Sequence, residues 1–221
     1  MVRGLPVSYP TKSKHICVIT PCWYAYKGYE FLMKNRSIET SRVMVGHNEV
    51  AMKEVDFFNS NAEITLSVFL IGDLCAVLST LRKCVTFINT VKKTKAVILY
   101  CRLSASWLYH MMQNLLNDGN ILDHIQIVSL SIRCEDIFSS PHSFLKQAAR
   151  LEEKITGEKL DGFTTRELDV MLYLYRGIPI KEQSAILGIS IKTIYTHRLN
   201  GGRKLYLLRS LMNKHDDITP P

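Results

Sequence analysis

The chain has 221 residues, 47% hydrophobic and 22% charged, with 28 Lys and Arg against 20 Asp and Glu for a net charge of +8. That is enough chain for two modest domains with sizeable cores, and the composition belongs to an ordinary globular protein. No run of eighteen uninterrupted apolar residues is present, and Arg3, Lys12 and Lys14 are followed by no apolar stretch long enough for a signal peptide, so the expected setting is the cytoplasm with no membrane partner.

Residues 1–13 read as a basic, proline-marked lead-in. After them short apolar β-type runs alternate with helical patterns. His15 to Thr20 precedes Tyr24 to Lys34, and Arg42 to Val45 precedes a less clear unit whose helix, if any, is Glu49 to Phe58. Ile64 to Ile71 precedes Ala76 to Val91, Ala96 to Cys101 precedes Trp107 to Leu116, and Ile125 to Leu130 precedes Ser143 to Ile155. Five strands separated by helices predict an α/β domain over residues 14–142, a doubly wound five-stranded parallel sheet with helices on both faces, followed by a linker helix over 143–160.

The six cysteines, Cys17, Cys22, Cys75, Cys84, Cys101 and Cys134, form no CxxC pair and sit in apolar surroundings, which points to reduced core thiols. Seven histidines make no HxxxH or HExxH arrangement, so no metal is expected. Trp23, Tyr24 and Tyr26 either line an aromatic pocket or, more often for such residues, cover a sheet end. Lys92-Lys93-Thr94-Lys95 reads as a solvated helix end suited to the helix dipole. Without a Gly-rich phosphate loop, a nucleophile elbow or paired catalytic acids, the chain is expected to be no enzyme and to need no cofactor.

From residue 161 to 215 the pattern becomes wholly helical, before a tail at 216–221. Thr164 and Glu167 make a capping box, Leu168, Met171, Leu172 and Tyr175 repeat at core spacing, and Gly177 closes that helix. Ile180 to Leu187 follows with Pro179 near its first turn, and Gly188 supplies the turn. Ser190 then caps a helix with Ile191, Ile194 and Leu205 on one face and Lys192, Tyr195, Thr196, Leu199 and Arg203 on the other. Helix, turn and helix with polar, basic and aromatic side chains outward suits a B-DNA major groove. Charge agrees: nine Lys or Arg against three acids between Phe163 and Lys214 place six of the eight net positive charges there.

Phe163-Thr164-Thr165-Arg166-Glu167, Gly177, Lys181-Glu182, Leu187, Ile189-Ser190, Lys192-Thr193-Ile194, His197, Asn200 and Lys204-Leu205 resemble the C-terminal DNA-binding domain of LuxR-type (GerE- or NarL-type) bacterial transcription regulators. The resemblance implies that Tyr195, Thr196 and Leu199 face base edges, that Lys192, Thr193, His197 and Arg198 approach the DNA backbone, and that Lys181 is a further phosphate contact; Arg203 and Lys204 complete the expected DNA-binding set. Tyr195 and Leu199 stand where polar or basic residues are common, which suggests contact with thymine methyls or weaker specificity. Gly201 replaces a core aliphatic and Gly202 follows, each costing about 1 kcal/mol relative to Ala, so the recognition helix Ile191 to Lys204 is expected to fray or end early. Only Tyr206 to His215 remains for the fourth helix that family members use in dimerisation, which leaves self-dimerisation through it open.

The order of α/β domain, linker and LuxR-type unit resembles a response regulator, with a receiver-like N-terminal domain. Receiver chemistry needs clustered carboxylates on Mg²⁺, but Thr20-Pro21-Cys22 stands where paired acids belong and Ser131-Ile132-Arg133 where a Lys belongs. Asp73 lies near the phosphoacceptor position and Ser104 or Ser106 near the switch hydroxyl; the favoured reading of Asp73 is a loop or helix-cap aspartate. Such a pseudo-receiver looks like the atypical auxiliary regulators of enterobacteria that pair with the Rcs phosphorelay's response regulator. The expected partners are therefore double-stranded DNA and either a second copy or another LuxR-type regulator. The N-terminal domain would serve non-phosphorylated dimerisation, partner docking or sensing. The alternative is an auxiliary regulator that acts mainly through another regulator and binds DNA weakly.

Overall fold

A computed structural model describes residues 15–45, 50–51, 63–132 and 143–216. Contacts divide the chain into two compact units, one from the described residues up to 102 together with 116–147, the other from 103–115 together with those from 148 onward.

The first unit contains β1 (His15–Ile19), α1 (Trp23–Lys34), β2 (Glu39–Arg42), β3 (Met44–Val45), β4 (Val50–Ala51), β5 (Ile64–Phe69), α2 (Leu74–Thr90), β6 (Thr94–Cys101), a 3-10 turn (Gly119–His124), β7 (Ile125–Ser129) and β8 (Ser143–Phe144). The main sheet has the order β2-β1-β5-β6-β7-β8. Its first five strands are parallel, in the doubly wound order second, first, third, fourth, fifth. The sixth, β8, is antiparallel to β7, so a mixed sheet replaces the all-parallel one expected, and Ser143–Phe144 leave the linker helix to form its edge.

Strand alternation explains the two-sided core. Ile16, Val18, Ile98, Tyr100 and Val128 face α1, where Tyr26, Tyr29 and Met33 bury against them. Tyr29 and Ser67 share a hydroxyl hydrogen bond of 2.8 Å, and the Phe69 and Tyr100 rings stack at 4.4 Å. The intervening Cys17, Ile19, Leu66, Val68, Val97 and Leu99 are also fully buried, so both faces of the sheet are covered, as expected. Cys17, Cys84 and Cys101 are buried thiols, and burial pushes Cys84 up to about 12. Cys134 lies outside the described residues.

Two local readings change. The second strand is Glu39–Arg42 rather than Arg42 to Val45, because an edge strand needs no apolar run: Glu39, Thr40, Ser41 and Arg42 pair in parallel register with His15, Ile16, Cys17 and Val18 of β1. Met44–Val45 instead pairs with Val50–Ala51, which removes those two residues from the helix expected at Glu49 to Phe58; residues 52–58 lie outside the described residues. In the basic run, Lys92 and Lys93 follow α2 in a turn, while Thr94 and Lys95 open β6.

The second unit contains α3 (Ala105–Leu115), most of α4 (Leu145–Thr156), α5 (Thr165–Tyr175), α6 (Ile180–Leu187) and α7 (Ile191–Asp216). α3 and α4 are joined by polar capping. Glu152 accepts the first N–H groups of α3, from Ala105 at 2.7 Å and Ser106 at 3.1 Å. Glu153 accepts from the Ser106 hydroxyl at 2.6 Å and lies 2.8 Å from His110 Nε2. The Ser106 hydrogen bond outweighs the effect of burial and, with His110, holds the Glu153 carboxyl below its ordinary pKa.

Candidate nucleic-acid interface

The interface is built on Gly162 and Phe163, which set where α5 begins. A Cβ at Gly162 would fall 2.2 Å from the Met111 backbone nitrogen, so only glycine permits this approach to α3. Asn114 donates to the Gly162 carbonyl at 3.1 Å, and the fully buried Phe163 ring meets Trp107 edge-on at 6.0 Å.

The expected capping box opens α5: Thr164 Oγ1 accepts from Glu167 N at 3.3 Å, and Glu167 Oε2 accepts from Thr164 N at 2.9 Å. Leu168, Val170, Met171 and Leu172 are buried, whereas Tyr175, expected in the core, is the last residue of the helix and is 44% exposed. Gly177 ends the helix with φ 71°.

α6 is anchored by Gln183, whose buried amide donates to the Ile178 carbonyl at 2.6 Å. Gly188 takes φ 64° at the turn, and the Ser184 hydroxyl donates to the Ile189 carbonyl at 2.6 Å. This positions Ser190, whose Oγ accepts from Thr193 N at 3.1 Å and caps α7.

α7 presents two faces. Ile194 is fully buried and Gly201 is buried seven residues on; Ile191, expected with them, is 38% exposed in the first turn. Lys192, Tyr195, Thr196, Leu199 and Arg203 are exposed, as is Lys181 on α6. Thr193, His197 and Arg198 are half-buried along the margins, Arg198 with an Nε that has no hydrogen-bond partner within the chain. Thr196 donates its hydroxyl proton to the Lys192 carbonyl at 3.2 Å, leaving oxygen lone pairs outward.

Lys204, expected among the DNA contacts, has partners within the chain. Its ammonium donates to the Gly162 carbonyl and to Glu167 Oε2, each at 2.8 Å, so it ties α7 to the start of α5. Burial raises the Glu167 pKa, but hydrogen bonds from Lys204 and Thr164 and the lysine's charge outweigh it and hold the carboxyl below its ordinary value. The glycine expectation is overturned. α7 runs unbroken for 26 residues, about 39 Å at helical rise, so Tyr206 to His215 continues the same helix instead of forming a separate one. A Cβ at Gly201 would lie 2.7 Å from Met171 Cγ and 2.9 Å from its Sδ, so glycine lets the Met171 side chain pack against α7 where a larger residue would make it shift.

Asp73, the unlikeliest member of the expected site set, belongs to the other unit. It caps α2, accepting from Ala76 N at 2.8 Å, which is the favoured helix-cap reading. Sequence reasoning missed the Glu167–Lys204 bond and the use of α3 as a platform; the capping-box Glu was a signal for the first, and no local pattern announced the second.

Residues 161–210 match the model of a family described as "Bacterial regulatory proteins, luxR family". No curated protein matches the chain. Among solved structures it is similar to RcsB from Salmonella enterica serovar Typhimurium bound to promoter rprA, at 15% identity over 87% of this chain and 92% of that one, with TM-score 0.48. It is also similar to the two-component response regulator RcsB in a DNA complex, at 16% identity over 87% and 92%, TM-score 0.48. Full-length FixJ from B. japonicum is similar at 15% identity over 86% and 88%, TM-score 0.32. Among the described residues no helix is long and apolar enough to cross a membrane.

Proposed function

We propose that this chain, which carries a LuxR-family regulatory domain behind a doubly wound α/β unit, is a bacterial transcription regulator that reads DNA with α7. The observation that carries the reading is the outward face of α7, where Lys192, Tyr195, Thr196, Leu199 and Arg203 are all exposed on a helix whose opposite side is fixed by Ile194 and Gly201. Lys192 and Arg203, with Lys181 from α6, neutralise phosphates, while Thr193, His197 and Arg198 border the duplex. Tyr195 and Leu199 meet thymine methyls and Thr196 offers an acceptor to base edges. The N-terminal unit serves dimerisation, partner docking or sensing without a phosphoryl group. Asp73 commits a carboxylate oxygen to a helix cap, and Thr20, Pro21 and Cys22 follow β1 where acids would hold a metal.

A second reading is favoured by the same face. Tyr195, Leu199, Tyr206 and Leu207 are each at least half exposed, and an apolar stripe of this kind also suits another regulator's surface. Mobility-shift titrations at two salt concentrations separate the two. For a DNA reader the affinity falls steeply with salt, and Lys192→Ala lowers the slope of log K against log salt by about one unit. A shift insensitive to salt and to Lys192→Ala overturns the DNA reading and leaves protein docking.

A further inference from the structure

We infer that the DNA-facing side of α7 runs past Lys204 to Tyr206, which holds the sugar-phosphate wall of the duplex, and that Gly202 clears the way for that close approach. The inference rests on the reading of α7 as the DNA-reading helix and adds two residues to it. Because α7 is unbroken from Ile191 to Asp216, helical period carries its outward side beyond Lys204. At 3.6 residues per turn, Tyr206 lies about 20° around the axis from Leu199 and about 10 Å further along it. Lys192, Tyr195, Leu199, Gly202, Arg203 and Tyr206 therefore share one side, and all are exposed, Tyr206 at 74%. On the opposite side Ile194 and Gly201 are buried and Leu205 is half-buried.

Charge selects a duplex as the occupant. Between Ile191 and His215 there is no Asp or Glu, against Lys192, Arg198, Arg203, Lys204, Arg209 and Lys214. A second copy of such a helix is repelled by it, whereas rows of phosphates match it. Lys204 is neutralised within the chain by Glu167 at 2.8 Å, which leaves Lys192 and Arg203 to charge the exposed side. A straight helix cannot follow the major groove as it curves away. In a groove about 12 Å wide, a side chain about 10 Å beyond the base-facing Leu199 stands over the backbone. Tyrosine suits that place, because its ring covers a sugar and its hydroxyl donates to a phosphate oxygen. Gly202 lies one turn before Tyr206, with nothing within 4 Å of where its Cβ would be. Among the described residues no packing calls for glycine there, and alanine favours a helix more. Without a side chain at 202, α7 comes close enough to the wall for Tyr206 to reach it.

The test uses a duplex that the full chain selects out of a random-sequence pool, titrated with the wild type, Tyr206→Phe, Gly202→Leu and Lys192→Ala. Tyr206→Phe is expected to weaken binding about tenfold and to leave the slope of log K against log salt unchanged, because it removes one hydrogen bond and no charge. Ethylation interference on the same duplex should lose one phosphate of the wild-type pattern in that variant. Gly202→Leu meets no neighbour, so it should weaken binding while keeping at least the thermal midpoint of the wild type, which separates a lost contact from lost folding. Steep salt dependence that Lys192→Ala lowers, with Tyr206→Phe and Gly202→Leu both binding as the wild type does, overturns the inference and leaves the DNA reading standing. Selection of no duplex, or binding insensitive to salt and to Lys192→Ala, overturns that reading and the inference with it.

Discussion

At position 201 a methyl group would have to displace the Met171 side chain, whereas one residue later it is free. The Cβ of a residue at 201 would press on Met171 Cγ at 2.7 Å, while nothing lies within 4 Å of a Cβ at 202. Gly201→Val should therefore destabilise the chain by about 1–3 kcal/mol through overpacking. Gly202→Ala should stabilise it by about 1 kcal/mol through helix propensity, both measured by urea titration. Lys204 makes a similar contrast with Lys192. Because its ammonium is spent on Glu167 and the Gly162 carbonyl, Lys204→Ala should lower stability by about 2 kcal/mol, the scale of a charged hydrogen bond, and leave the salt slope of DNA binding unchanged. The sign of the pH dependence follows from Glu167, whose pKa is held below its unfolded value. Its contribution is complete above the ordinary carboxylate range and is lost as pH falls through the depressed folded value. Acid titration of the Glu167→Gln variant should show a weaker loss of stability than the wild type; an equal loss would place the effect elsewhere.

At the level of elements, the apolar pattern located what is buried and misplaced what is not. β1, β5 and β6 are largely apolar, buried runs, legible because a strand covered on both faces is mostly hydrophobic, and β7 was legible from Ile125, Ile127 and Val128. β2 and β8 are edges made of polar or mixed residues, so only pairing with β1 and β7 identifies them. The caps on α5 and α7 were readable, since Thr164, Glu167 and Ser190 act within their own turns. The cap on α3 was not, because Glu152 lies 46 or 47 residues beyond the N–H groups it accepts. Glu152→Ala should lower stability by about 1 kcal/mol, and amide exchange should show the gain in opening at Ala105 and Ser106. Unchanged protection there would mean that solvent replaces the carboxylate without loss.

For the molecule as a whole, six of eight net positive charges fall between Phe163 and Lys214, and the α/β unit contributes little to the field a duplex would meet. DNA affinity is expected to ignore small-molecule phosphodonors, with Asp73→Asn indistinguishable from wild type in labelling and in mobility shift. A phosphodonor-dependent gain in affinity that Asp73→Asn removes would show that the aspartate leaves its cap to accept phosphate.

From the order of residues alone came the two fold classes, the helix-turn-helix with its caps, and the outward members Lys192, Tyr195, Thr196, Leu199 and Arg203, because helix and strand periods and capping act over a few neighbouring residues. Tertiary structure decided which lysine is committed within the chain, why Gly201 is tolerated, and that α3 supports Gly162 and Phe163. Those outcomes depend on distances between groups some 30 to 50 residues apart along the chain, which packing sets and local pattern does not record.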